Sequence, residues 1–302
     1  MATALLISAT FLGLSEWLIA SLVVKEEAFN QSVELYHRVR TSGAANAVFG
    51  DSATARGIII DRPDFVNLSA GGEGLGLTRV KVLNFFVDRP AGLVVLPASA
   101  NTLSRSAPAP DARTDMYGVK VGLVPYLSFH HHQTFLLAYW RTYLVNGGFN
   151  STIQFLPYGG QVATGYDRTP VYGNLPEAQR VALSRSHVLE ELPAFAAGRN
   201  PTFVVYDDLL ADLLGKGARV CLVGMPRSPE YRALARAYRY FDEEVPRLWG
   251  DYAASFGSQV RYVNAYAWTD DLDLYHDPTH LNETGGRMFA PWLLDRCFGA
   301  AR

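Results

Sequence analysis

An α/β fold, a mainly parallel central sheet inside a three-layer sandwich, is what this sequence predicts. Short apolar runs of strand length recur along the chain, and stretches of helical periodicity separate them. Strands that alternate with helices form parallel sheets, because each helix carries the chain back over the sheet to begin the next strand in the same direction. Size agrees: 302 residues, 49% hydrophobic and 19% charged, suffice for one large domain with a substantial core.

Residues 2–24 form a nearly unbroken apolar stretch in which Glu16 is the one charge. At about 1.5 Å per residue, a helix of this length spans the roughly 30 Å hydrocarbon core of a bilayer. It is read as an N-terminal membrane-anchor helix, continued by a helical stalk over 26–40. Residues 1–40 are thereby set apart from a domain at 41–302. No Lys or Arg precedes the run, which argues against a cleaved signal peptide. The first basic residue, Lys25, is followed by Glu26 and Glu27, so flanking charge gives no orientation. The competing reading is a globular core helix with Glu16 at its polar edge.

Strands are predicted near 46–49, 64–68, 92–96, 218–224 and 259–263. Helical patterns lie near 73–87, 128–146, 203–216, 229–256 and 284–297. The stretch from about 103 to 200 is longer than a crossover needs. It holds Pro108-Ala109-Pro110, Tyr158-Gly159-Gly160 and Thr169-Pro170, and is read as an insertion. Cys221 lies in the apolar run Val220-Cys221-Leu222-Val223 and Cys297 in the last helix; both are read as buried free thiols, with a disulfide as the alternative. Net charge is −2, so nothing points to a nucleic-acid partner. His130-His131-His132 invites a metal reading, but three adjacent histidines cannot all face one ion from a helix. His130–Arg141 instead fits an amphipathic helix with Phe135, Leu136, Tyr139 and Trp140 inward. No metal and no other cofactor is expected.

The chemistry is concentrated at two places. Ala47-Val48-Phe49 is a short apolar run, Gly50 permits a sharp turn, and Ser52 falls at the start of a helical segment, Ala53 to Ile58. Backbone N–H groups at a helix start favour negative charge, so a serine there can attack a carbonyl while its own N–H faces the developing oxyanion. The same tripeptide also fits an ordinary turn with Ser52 as a helix cap. Near the C-terminus stands Asp277-Pro278-Thr279-His280, in which Pro278 favours a turn. A spacing of three lets Asp277 reach one imidazole nitrogen of His280, leaving the other for Ser52. A nucleophile, a base and an orienting carboxylate are the three parts of acyl chemistry through a covalent ester.

Taken together, these motifs resemble the SGNH, or GDSL-type, hydrolase superfamily. Gly50-Asp51-Ser52 matches its first block and Asp277-Pro278-Thr279-His280 its last. The second block contributes a glycine five residues after an asparagine, which picks Gly72 after Asn67. The third, normally Gly-x-Asn-Asp, corresponds to Ser99-Ala100-Asn101-Thr102, with Ser99 in place of the glycine and Thr102 in place of the aspartate. The resemblance implies an SGNH-hydrolase-like, flavodoxin-like sandwich. It also implies an oxyanion site made by the N–H groups of Ser52 and Gly72 and the Asn101 amide. Arg56, one turn beyond Ser52, is a candidate for holding an anionic substrate. Tyr266, Trp268 and Tyr275, just before the Asp-x-x-His turn, are candidates for stacking on a sugar.

Two function classes follow. One is a serine acyl enzyme, an esterase or O-acyltransferase, acting on an acyl ester or an acylated cell-envelope or exported polysaccharide. An anchored SGNH-like domain resembles proteins that acylate exported polymers, often beside a membrane-bound O-acyltransferase, with the catalytic domain extracytoplasmic. The other is a catalytically inactive glycan-binding or scaffold protein that keeps the fold. Hydrolysis and transfer share one acyl-enzyme and differ only in the acceptor that reaches it.

Overall fold

Five short strands form the centre of the molecule: β1 (Asn46–Val48), β2 (Phe65–Asn67), β3 (Leu93–Pro97), β4 (Arg219–Gly224) and β5 (Val260–Asn264). They pair in parallel in the order β2-β1-β3-β4-β5. The structure is a computed structural model that describes Thr10, Val39 and residues 41–103, 172–191 and 200–299. All of these except Thr10 belong to one compact unit formed by His37–Asp111 and Tyr166–Arg302. The anchor run 2–24, nearly all of the stalk 26–40, the helical pattern 128–146 with His130-His131-His132, and most of the insertion lie outside the described residues. Among the described residues no helix is long and apolar enough to cross a membrane.

The inner strands β1, β3 and β4 are covered on both faces and read as nearly continuous apolar runs, whereas the edge strand β5 leaves Arg261 and Asn264 exposed. Side chains still alternate, two residues per repeat. Val48, Val95, Cys221, Val223 and Val263 point into one core cluster with Phe289, Ala290 and Leu293. Phe49 meets the rings of Phe85 and Phe86 at 5.8 and 6.1 Å.

Seven helices complete the described fold: α1 (Ser52–Gly57), α2 (Leu75–Phe85), α3 (Glu177–Glu191), α4 (Pro201–Gly215), α5 (Pro229–Ala235), α6 (Val245–Ala254) and α7 (Glu283–Phe298). α1 packs against α7, and Gly286 lets the two approach: a Cβ there would sit 2.5 Å from the Arg56 carbonyl. α2 packs on α4, which also touches β4, while α6 lies against β4 and β5.

Three expectations are corrected here. The single helix expected over 229–256 is two, separated by a π-helical turn at Tyr240–Glu244. Proline stands in the first turn of both α5 and α6, where its missing N–H costs nothing. α3 was not expected within an irregular insertion; it buries only Ser184, Val188 and Glu191, too narrow a stripe to stand out as amphipathic. The two cysteines are not free thiols. Cys221 of β4 and Cys297 of α7 form a disulfide, with Cα atoms 5.5 Å apart across 76 residues. Only the docking of α7 on the sheet brings them together. Closing a loop of that length stabilises a chain by about 4.5 kcal/mol in the chain-entropy account.

Candidate active site

The turn leaving β1 sets the first half of the site. Gly50 has φ +142°, and a Cβ there would sit 2.5 Å from Thr54 Oγ1 and 2.9 Å from Pro97 Cδ. Only glycine makes this turn without displacing β3. Asp51 is the N-cap of α1: its Oδ1 accepts from the backbone N–H of Ala53 (3.0 Å) and of Thr54 (3.3 Å). The reading of Ser52 as a helix cap is thereby corrected. Because the aspartate caps, the Ser52 hydroxyl is released, and its Oγ lies 2.8 Å from His280 Nε2. The Ser52 N–H, in the first turn, has no acceptor within the helix.

The second half is a hairpin after β5. β6 (Tyr275–Asp277) pairs antiparallel with β7 (His280–Leu281), and Pro278-Thr279 make the turn. Asp277 Oδ1 accepts from the Thr279 N–H (2.8 Å), the Thr279 hydroxyl (3.0 Å) and the His280 N–H (3.0 Å). Its Oδ2 lies 2.8 Å from His280 Nδ1. Burial alone would raise the Asp277 carboxyl, but the hydrogen bond and charge of His280, the Thr279 amide and the nearby His187 hold it well below the usual carboxylate range. An ionised Asp277 keeps a proton on Nδ1, so Nε2 accepts from the Ser52 hydroxyl. Ser52, 228 positions from His280, thus joins it and Asp277 in one hydrogen-bonded line.

Gly72 (φ +63°) and Asn101 line, with Ser52, Thr78, Pro97 and Thr102, a cavity of about 260 Å³. Asn101 opens a 3-10 turn, and its Nδ2 donates to Asp51 Oδ2 at 3.1 Å. Asp51 therefore links the turn after β1 to the turn after β3. Ser99 and Thr102 bond each other: the Ser99 N–H donates to Thr102 Oγ1 at 3.2 Å. The cavity opens at the carboxyl ends of β1, β2 and β3. In this strand order the chain reverses direction across the sheet between β1 and β3, where open α/β sheets form their ligand crevice.

Sequence reasoning missed two supports. Asn67 donates to the Ile58 carbonyl (2.8 Å) and accepts from the Ser69 N–H (2.9 Å), tying the end of α1 to the loop that leads to Gly72. Beneath the cavity Lys81 and Glu73 form an ion pair with both side chains fully buried, and Lys81 also donates to the Leu68 carbonyl. Thr78 Oγ1 donates to Glu73 at 2.9 Å. Lys81 shares the buried face of α2 with Leu77, Thr78, Val82 and Phe85, where a lysine adds nothing to the apolar pattern.

The remaining candidates fall elsewhere. Tyr275 is fully buried, and its hydroxyl donates to the carbonyls of Arg227 (2.9 Å) and Thr269 (3.2 Å). A ring buried to this extent leaves no face exposed for a sugar to stack on. Trp268, half-buried, packs edge-on against Phe289 at 5.1 Å, on the margin of the core under α7. Tyr266 meets Tyr231 edge-on at 6.2 Å and borders a separate void of about 20 Å³, room for about one water. Arg56, in the last turn of α1, adds its charge to burial in lowering the His276 pKa below the ordinary value. Among the described residues no group of histidine, cysteine and carboxylate side chains is arranged to hold a metal.

No family model matches this chain, and no curated protein matches it. A solved structure from Streptococcus pneumonia, described as that of a candidate platelet activating factor, is similar, with a TM-score of 0.45 and 13% identity, covering 99% of this chain and 100% of that one. A likeness this loose assigns no residue a role.

Proposed function

We propose that the chain is an SGNH-type serine acyl enzyme, an esterase or O-acyltransferase, with Ser52 as nucleophile, His280 as general base and Asp277 as its orienting carboxylate. One observation carries the reading: Ser52 Oγ lies 2.8 Å from His280 Nε2 while Nδ1 of the same ring lies 2.8 Å from Asp277. The flavodoxin-like strand order and the crevice at its switch point support it.

In this mechanism His280 Nε2 takes the Ser52 proton as Oγ attacks the acyl carbonyl. The N–H groups of Ser52 and Gly72 and the Asn101 amide stabilise the oxyanion. The imidazolium, stabilised by ionised Asp277, returns its proton to the departing alcohol, leaving acyl-Ser52. Water or a sugar hydroxyl then gives up its proton to Nε2 as it attacks the ester carbon, and Nε2 returns that proton to Oγ as Ser52 leaves.

The same proposal extends to place. An apolar run at 2–24 would tether the domain to a membrane, and a buried disulfide is at home in an oxidising, extracytoplasmic compartment. An acylated envelope or exported polysaccharide is the substrate class that fits such a tether, with a membrane-bound O-acyltransferase as a partner. Incubation with an activated acetyl ester, with and without glycan acceptors, tests the reading. Acetyl-Ser52 should form, and its fate should divide between water and sugar. An inert protein would favour a non-catalytic scaffold.

A further inference from the structure

A buried cluster behind the His280 hairpin is used by none of the steps above, and its geometry converges on one peptide group. Arg227 follows β4 and is 3% exposed. Its Nη2 donates to both carboxylate oxygens of Glu191, the last residue of α3, at 2.9 and 3.2 Å. Its Nη1 donates to the Thr279 carbonyl at 3.2 Å. That carbonyl belongs to the peptide joining Thr279 to His280. The neighbouring Ser228 N–H donates to the Pro278 carbonyl at 2.9 Å. Arg227 itself is fixed from every side. Tyr231 donates to Glu191 at 2.7 Å, and Tyr275 donates to the Arg227 carbonyl at 2.9 Å. The adjoining void of about 20 Å³ has room for about one water, so the cluster is not a ligand pocket.

We propose that Arg227 is a positioning residue for His280, and that Glu191 of α3 holds it in place, so that this helix of the insertion is part of the active-site framework. This rests on the reading of Ser52 and His280 as nucleophile and base. A guanidinium is planar and presents its donors as a fixed fork. One arm of the fork is set by the Glu191 carboxylate, so the other meets the Thr279 carbonyl at a defined angle. The tilt of that peptide sets where the imidazole begins. Lysine, a single point of charge, keeps the ion pair but not the fork.

The test uses the full-length protein in detergent, comparing wild type, Arg227→Lys, Glu191→Gln and the double variant. Three readouts are taken: turnover of an activated acetyl ester, the rate of Ser52 labelling by a serine-reactive phosphonate, and the downfield proton resonance of the His280–Asp277 hydrogen bond. A displacement of the base by about 1 Å costs on the order of 10²-fold in rate. Arg227→Lys should therefore lower kcat and the labelling rate by that order with KM little changed, and should shift or broaden the downfield resonance. Glu191→Gln should fall between it and wild type, and the double variant should be no worse than Arg227→Lys, because the pair acts as one unit. A lower melting temperature with wild-type kcat, labelling rate and resonance would overturn the positioning role, leaving the pair as a support of the fold. If Arg227→Lys does not fold, unchanged readouts in Glu191→Gln overturn it equally. If wild type itself neither turns over nor labels, the acyl-enzyme reading fails, and the positioning of a base fails with it.

Discussion

At the scale of single residues, the site depends on which side chain caps α1. Asp51 takes the cap and the Asn101 amide, and Ser52 is left to His280. Ser52→Ala and His280→Ala should each abolish ester turnover. Asp277→Asn should lower kcat by about 10⁴, because it presents the wrong partner to Nδ1 while leaving the shape intact. Asn101→Ala should slow turnover by about 10²–10³ with little change in KM, measured by steady-state kinetics. An unchanged rate would move the oxyanion donor elsewhere. Acid stability follows from Asp277. Its folded pKa lies below the ordinary carboxylate value, so its ionised form contributes stability above about pH 4, lost as pH falls toward the folded value. Denaturant melts of wild type and Asp277→Asn should differ most near neutrality and converge as pH drops below about 4.

At the scale of elements, much of the fold was legible because parallel strands buried on both faces announce themselves as apolar runs. All five strands stand within a residue or two of their expected places, and the Pro278 turn is the bend of a hairpin. What could not be read carried no apolar pattern of its own. α3 has too narrow an apolar stripe, the π turn at Tyr240–Glu244 falls inside what reads as one helical pattern, and Lys81 is buried with Glu73 and the Leu68 carbonyl to receive it. Tyr275 braces the hairpin from behind through the Arg227 carbonyl, a packing that its place in the sequence does not distinguish from a stacking face. The disulfide belongs to this scale, joining β4 to α7. Replacing Cys221 and Cys297 together by alanine should destabilise the protein by about 2–5 kcal/mol in denaturant melts. Gly50→Ala should destabilise it too and slow turnover, since a Cβ there meets both Thr54 and Pro97.

At the scale of the whole molecule, a crevice at the switch point of a parallel sheet is joined to an apolar N-terminal run whose role is a proposal. Sedimentation addresses that part. The full-length protein should stay with the membrane fraction at high salt and leave it only with detergent, whereas recovery in the high-speed supernatant would return residues 2–24 to the interior of a soluble protein. The central claim concerns one bond, the ester between an acyl group and Ser52. It is tested most directly by mixing the intact protein with an activated acetyl ester, quenching in acid, and locating the modification by mass spectrometry. One acetyl group should be found on Ser52, and it should be absent from Ser52→Ala. Acetylation at another residue, or undiminished turnover by Ser52→Ala, would contradict the account.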